Sequence, residues 1–262
     1  MRVDVKNLSF AYKDNCVLDD VSFSINAGDF LCVLGKNGAG KSTLFKLLLG
    51  FLKKEKGEIL IEGKELEDYS RKDLAKEIAY IPQYTSSAFA YSVFDTVLMG
   101  TTCNLDGLGS PKHREKRIAK DALEKFGISH LSHKSTASIS GGERQLVLLA
   151  RAIAQGSHIL ILDEPTANLD YGNQYKVMSI IAKLKNQGYS VILSTHNPEN
   201  ALSFSDKVLF LDNKKILAYG NTDDVMTSEN LKTIYDLPIE ILNINGRKIC
   251  TPSLNMDNKK YV

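Results

Sequence analysis

The nine residues from Gly35 to Thr43 read Gly-Lys-Asn-Gly-Ala-Gly-Lys-Ser-Thr, and no other stretch constrains the chain as strongly. Glycine, four residues, glycine, lysine and a hydroxyl side chain form a phosphate-loop pattern. An apolar run, Phe30 to Leu34, precedes it, and an apolar helical spacing at Leu44, Leu47 and Leu48 follows. Strand, tight loop and helix in that order place backbone N–H groups and a helix N-terminus around an anion. Gly35, Gly38 and Gly40 let the backbone turn and approach phosphate closely. The whole loop, including Asn37, Ala39 and Thr43, is therefore a candidate nucleotide cradle. In it Lys41 is expected to reach the β- and γ-phosphates and the Ser42 hydroxyl to hold Mg²⁺.

A chain of 262 residues with 43% hydrophobic content can bury a sizeable core. The net charge of +2 gives no strongly basic field of the kind nucleic acids select. Lys53, Lys54, Lys56 and Lys112, Arg114, Lys116, Arg117 are interrupted by Glu55 and Glu115, the pattern of solvated helix faces. Cys16, Cys32, Cys103 and Cys250 are scattered without a metal-ligand spacing, which fits reduced thiols in a cytosolic protein. Met1 to Lys6 lacks the pattern of a signal segment, and no apolar run approaches the roughly 18 residues of a membrane helix. A membrane role is expected to run through a partner.

Val3 to Phe10 and Val21 to Ile25 alternate apolar and polar residues, predicting half-exposed antiparallel strands. Tyr12 lies between them, an aromatic face able to stack on a base. Strands are predicted at Gly57 to Ile61 and Ile78 to Ile81, with a short helix from Arg71 to Lys76 between them. Pro82 ends the second of these strands, leaving Gln83 at a C-terminal strand edge, where open α/β sheets bind ligands. From Thr85 to about Gln155 the spacing turns helical, predicting an α-helical insertion, with Thr101 to Pro111 as a loose connection inside it.

Ser140 stands as an N-cap with Glu143 three residues on, a capping box opening the apolar helix Leu146 to Ala154. The box does not explain Gly141 and Gly142, which cost helix propensity and suit a phosphate approaching the helix start. The run from His158 to Leu162 predicts a strand buried on both faces, with Asp163 and Glu164 at its tip. These carboxylates suit two tasks, Asp163 on Mg²⁺ through water and Glu164 on an attacking water. Val191 to Thr195 predicts another core strand ending at His196. Strands at Lys207 to Leu211 and Lys214 to Tyr219, a helix from Thr222, and an Asn245-Gly246 hairpin between Ile239 and Cys250 complete the expected order. Asn255 to Val262 is polar and expected to be loose.

Taken together, these motifs resemble the ATP-binding subunits of ATP-binding cassette (ABC) transporters over essentially Met1 to Met226. Gly35 to Ser42 resembles the Walker A loop, Gln83 the Q-loop residue and Ser140-Gly141-Gly142 the signature, here opening with Ile139 and followed by Glu143. Ile159 to Glu164 resembles Walker B, Ala167 to Asp170 the D-loop, His196 the switch histidine and Tyr12 the adenine-stacking aromatic. The resemblance implies an α/β phosphate-loop NTPase core with an N-terminal antiparallel β subdomain. A helical subdomain at about residues 85–156 would be inserted in it, and residues 227–262 would form a C-terminal extension with a hairpin. It implies ATP and Mg²⁺ as ligands, with the metal held by Ser42, Gln83 and Asp163, and catalysis by Glu164, His196 and Gln83.

It further implies a head-to-tail dimer of two copies, each ATP held between one copy's loop and the other's Ser140, Gly141 and Gly142, with Asp170 acting across the interface. A membrane permease would dock at Tyr84 to Gly100, on the cytoplasmic face of the cell membrane, served indirectly by an extracytoplasmic substrate-binding protein, with no nucleic acid involved. Asp95 to Gly100 and Gly142 to Ala152 are similar to the importers of iron-siderophores, haem and cobalamin. A molybdate or other metal importer, or an ABC ATPase acting on DNA or ribosomes, is the alternative.

Overall fold

The computed structural model describes residues 1–83, 91–105 and 109–253. Strand β1 (Val3–Tyr12) pairs antiparallel with β2 (Asn15–Ile25), and β3 (Phe30–Leu34) then starts a second sheet and runs through the glycine-rich loop into α1 (Lys41–Leu48). The chain returns with β4 (Lys56–Ile61) and β5 (Lys64–Glu65), closing an antiparallel sheet of order β2-β1-β4-β5. Strand β2 begins six residues earlier than the apolar alternation predicts. Register shifts between Val5, Leu8, Phe10 and Ala11 break the period, and a two-residue pattern cannot be followed through a bulge.

Helix α2 (Arg71–Glu77) leads into β6 (Ile78–Ile81). The helical insertion follows as α3 (Val93–Leu98), α4 (His113–Lys125) and α5 (Gly141–Gln155). Strands resume with β7 (Ile159–Asp163), α6 (Tyr171–Asn186), β8 (Ser190–Ser194), α7 (Pro198–Phe204), β9 (Lys207–Asp212) and β10 (Lys215–Asn221). The chain then passes through α8 (Thr222–Val225) and α9 (Ser228–Tyr235) to the hairpin β11 (Ile239–Ile244) and β12 (Arg247–Pro252).

The second sheet has the order β10-β9-β3-β8-β7-β6, parallel throughout except for β10 on its edge. Strands β3, β7 and β8 are buried at every position because both faces are covered. Phe30, Cys32 and Leu34 face a core shared with the helices α3 to α6, whereas Leu31 and Val33 face a second core filled by the antiparallel sheet and α1. The sheet thus clamps the loop after β3 between two packed bodies. All four central strands point their C-terminal ends the same way, and Ser194 lies in register with Val33 on one side and Asp163 on the other.

The connection predicted to be loose, Thr101 to Pro111, is only partly so. Met99 to Asn104 form a 3-10 helix in which Thr101 is buried, and Gly100 lies so close to α5 that a Cβ there would sit 2.2 Å from the Arg151 carbonyl oxygen. Residues 84–90, 106–108 and 254–262, which include much of the expected docking segment and the polar terminus, lie outside the described residues. Helices α7 and α9, 7 and 8 residues long, are additions to the expected order.

Candidate functional site

The phosphate loop is built by two backbone requirements. At Gly35 a Cβ would fall 2.4 Å from the Leu211 carbonyl oxygen, and at Gly40 the backbone adopts φ 105 with Val17 and Leu18 of β2 directly behind it. Gly40 is also the N-cap of α1 and supplies no side-chain cap, so the helix start is left to receive an anion. Lys41 is buried to 6% exposure and donates from Nζ to the carbonyl oxygens of Gly35 at 2.6 Å and Lys36 at 3.2 Å. Burial pushes its ammonium below the usual lysine range, against the opposing pull of Glu164 and Asp163. Asn37, Gly38 and Ser42 are exposed on the same loop, and Ala39 and Thr43 are half-buried. Tyr12 stands at the end of β1, 43% exposed, its ring edge-on to Phe10 with centroids 4.8 Å apart.

Beside the loop, three strand ends converge. Asp163, on the last residue of β7, is 5% exposed and accepts a 2.5 Å hydrogen bond from Ser194 Oγ. The next residue, Glu164, has φ 48, a left-handed conformation that costs a side-chain-bearing residue energy and that functional sites tend to retain. Two bonds hold it there: its backbone N–H donates to Ser194 O at 3.2 Å and to Ser194 Oγ at 3.0 Å. Its carboxylate is aimed from both sides. Gln83 Nε2, just past β6, donates to Glu164 Oε2 at 2.7 Å, and His196 Nε2, just past β8, lies 2.9 Å from the same oxygen.

A second cluster gathers Ser140, Gly141, Gly142 and Asp170 at the starts of α5 and α6. The capping box is complete: Glu143 N–H donates to Ser140 Oγ at 3.3 Å, and Ser140 N–H to Glu143 Oε2 at 2.8 Å. Asp170 caps α6, accepting from the Asn173 backbone N–H at 2.9 Å and from Asn173 Nδ2 at 2.6 Å. These bonds hold the Asp170 carboxyl below its ordinary pKa. A Cβ on Gly142 would meet Asn173 Cγ and Oδ1 at 2.9 Å, so a side chain there would displace the Asn173 amide that holds Asp170. Among the described residues no hydrogen bond joins Ser140, Gly141 or Gly142 to the phosphate loop or to Gln83, Glu164 or His196. The two clusters are therefore separate within one copy.

Sequence reasoning missed Ser194, which positions both acidic residues, and Val17, which backs Gly40. A signal for the first was present: Ser194 is a hydroxyl that ends the apolar run Val191 to Leu193, two residues before a candidate histidine. Asn173, wedged between Gly142 and Asp170, had none.

Residues 18–167 match the family described as ABC transporter. The chain is 39% identical to a molybdate import ATP-binding protein of Haemophilus influenzae, over 90% of this chain and 89% of that protein. It is likewise 39% identical to a probable iron chelatin transport ATP-binding protein of Helicobacter pylori, over 92% of this chain and 96% of that one. Among solved structures, a chain of an ABC transporter described as metal-chelate type, in an inward-facing conformation, superimposes with a TM-score of 0.85 at 35% identity, covering 97% of this chain and 98% of that chain. Its cradle, its convergent strand ends and these likenesses together place the chain in the ABC transporter family, as an ATP-binding subunit and ATPase.

Proposed function

We propose that the chain powers import of a metal chelate or an oxyanion through a separate membrane permease, as the ATP-hydrolysing member of a pair of identical subunits. The observation that carries the hydrolytic part is the single carboxylate oxygen, Glu164 Oε2, held between Gln83 and His196 at the edge of the phosphate loop. Lys41 and the open start of α1 bind the phosphates, and Tyr12 offers its ring to the base. Glu164 orients and deprotonates the attacking water. His196 and Gln83 fix the direction of that carboxylate.

The oxygen donors of Ser42, Gln83 and Asp163 are the hard set Mg²⁺ selects, and Ser194 keeps Asp163 oriented beneath the loop. Bound there, Mg²⁺ would supply positive charge against the negative charge of the phosphates. The Ser140 half-site needs a phosphate that its own copy does not bring to it, so it completes the cradle of a second copy facing it head to tail. ATP then favours the closed pair, and its hydrolysis removes that preference.

Among the described residues no helix is long and apolar enough to cross a membrane, which fits attachment through a partner at the cytoplasmic face. A groove of about 910 Å³ between the segment that follows α1, α2 and β6 is lined by Leu52, Tyr69, Leu74, Ile78 and Tyr80, with Gln155 at the end of α5 and with Phe51 67% exposed. It adjoins β6, which leads to Gln83, and is the seat assigned here to the permease, together with the exposed residues of 91–100. Cargo is argued from the relatives, of which one is a molybdate and another an iron chelatin protein; the iron-chelate reading is preferred for the resemblance at Asp95 to Gly100. The test is capture from membranes with ATP, using tagged Glu164→Gln. Recovery of a polytopic membrane protein, lost when Phe51→Asp is added, supports the reading. Recovery of ribosomes or DNA in its place overturns it.

A further inference from the structure

The two residues that end α9, Tyr235 and Asp236, touch the candidate site at two different points. Tyr235 Oη donates to the backbone carbonyl of His196 at 2.8 Å, across 39 positions of sequence. Asp236 Oδ2 accepts from Lys36 Nζ at 2.6 Å, across 200 positions, and Lys36 is the second residue of the phosphate loop. Both contacts come from a stretch beyond the residues 18–167 that match the family, and neither residue figures in the cradle described above.

The chemistry of each residue fits a positioning task. Asp236 closes α9 in the left-handed region, with φ 53, where glycine would carry no conformational cost. Asp236 brings a carboxylate to this position, and the loop lysine donates to it. Tyr235 packs its ring against the core formed by the sheet and the helices, near Cys32 of β3 and Cys250 of β12. Burial pushes its phenol well above the usual tyrosine range, so the hydroxyl remains a donor at any physiological pH. His196 is then fixed twice: its carbonyl by Tyr235 from behind, and its imidazole by Glu164 in front. The strand end that carries it is otherwise a short turn, in which Asn197 N–H donates to Thr195 Oγ1 at 3.1 Å before α7 begins.

We propose that Tyr235 is a positioning residue for ATP hydrolysis, setting the backbone from which His196 reaches Glu164, while Asp236 steadies Lys36 from the same helix end. The proposal rests on the ATPase reading of the site. It makes the C-terminal helix part of the hydrolytic apparatus and couples the hairpin beyond it to the switch strand.

The experiment compares full-length wild type with Tyr235→Phe, which deletes the hydroxyl and keeps the ring. Tyr219→Phe is the control: its hydroxyl bonds the Ser24 backbone and ties the two sheets together at a distance from the histidine. Steady-state ATP hydrolysis, thermal unfolding and the imidazole signals of the five histidines, labelled with ¹³C, are measured on each. The His196 signal is identified by its loss in His196→Gln. Tyr235→Phe is expected to lower kcat about five- to tenfold, with KM for ATP within about twofold. Its Tm should stay within about 3 °C of wild type. The His196 signal should move while the other four hold, and Tyr219→Phe should leave both kcat and that signal unchanged.

An unmoved His196 signal, or a kcat within about twofold of wild type, overturns the proposal. So does an equal loss of kcat in Tyr219→Phe, which would mark general loosening of the fold. If wild type neither binds nor turns over ATP, it is the ATPase reading that fails, and the histidine spectra still decide whether Tyr235 positions His196.

Discussion

His196 Nε2 lies 2.9 Å from Glu164 Oε2, the oxygen that also accepts from Gln83 Nε2 at 2.7 Å. Two side chains from two different strand ends thus converge on one carboxylate oxygen. Glu164→Gln removes the base but keeps the size and the backbone bonds to Ser194. Hydrolysis should fall by about 10²–10⁴-fold. ATP affinity should stay within a few-fold, and gel filtration with ATP should show a dimer that wild type populates only transiently. Turnover above about a tenth of wild type would remove Glu164 from the role of base.

Lys41 is held in place by the carbonyls of Gly35 and Lys36 while burial disfavours its charge. A γ-phosphate is the partner that would compensate for that burial. ATP at about 100 times its Kd should stabilise wild type by about 2.7 kcal/mol, a Tm rise of about 5–10 °C. In Lys41→Ala the rise should disappear under the same conditions. A retained shift would mean that the nucleotide sits elsewhere.

Gly142→Ala tests the half-site at α5. The added Cβ would lie 2.9 Å from Asn173, the residue that holds Asp170, so the two helix starts must separate or Asn173 must turn away. A stability loss of about 1–3 kcal/mol is expected from such overpacking. The concentration dependence of ATPase activity should weaken, while nucleotide binding to the dilute protein stays unchanged. Gly141→Ala, whose nearest neighbour is the flexible end of Leu169 at 3.2 Å, should be milder in both measurements.

The pH dependence of stability has one traceable contributor at the turn before β3. Burial alone would raise the Asp29 carboxyl, but the Asn26 backbone N–H at 2.7 Å and the Lys207 ammonium at 2.9 Å outweigh it and hold the pKa below the ordinary value. A carboxyl depressed in the folded state stabilises above its unfolded pKa of about 3.9, and that contribution is lost as the pH falls through the folded value. The Tm difference between wild type and Asp29→Asn should be constant from about pH 7 to about pH 5 and close towards about pH 3. A difference that widened in acid would reverse the assigned sign.

Local chemistry in the chain was enough for much of this. The glycine spacing from Gly35 to Gly40 required a loop between strand and helix, and Ser140 with Glu143 required a capped helix start; both stand where expected. The doubly apolar strands were legible because a parallel sheet covered on both faces leaves no polar alternation. Bulged β2 was not, because a bulge resets the period.

Residue identity and spacing, then, determined that this chain has a phosphate loop, two acidic residues after a buried strand, a capped glycine pair and a histidine at a strand end. Those are local signals, each confined to a few consecutive positions. Which of these groups meet was decided by the order β3-β8-β7-β6, which sets Ser194 beneath Asp163 and brings Gln83 and His196 to one oxygen of Glu164. The same holds for Lys36 and Asp236, 200 positions apart. No local pattern encodes such pairings, because they follow from how two cores pack on opposite faces of one sheet, and that exists only once the chain has folded.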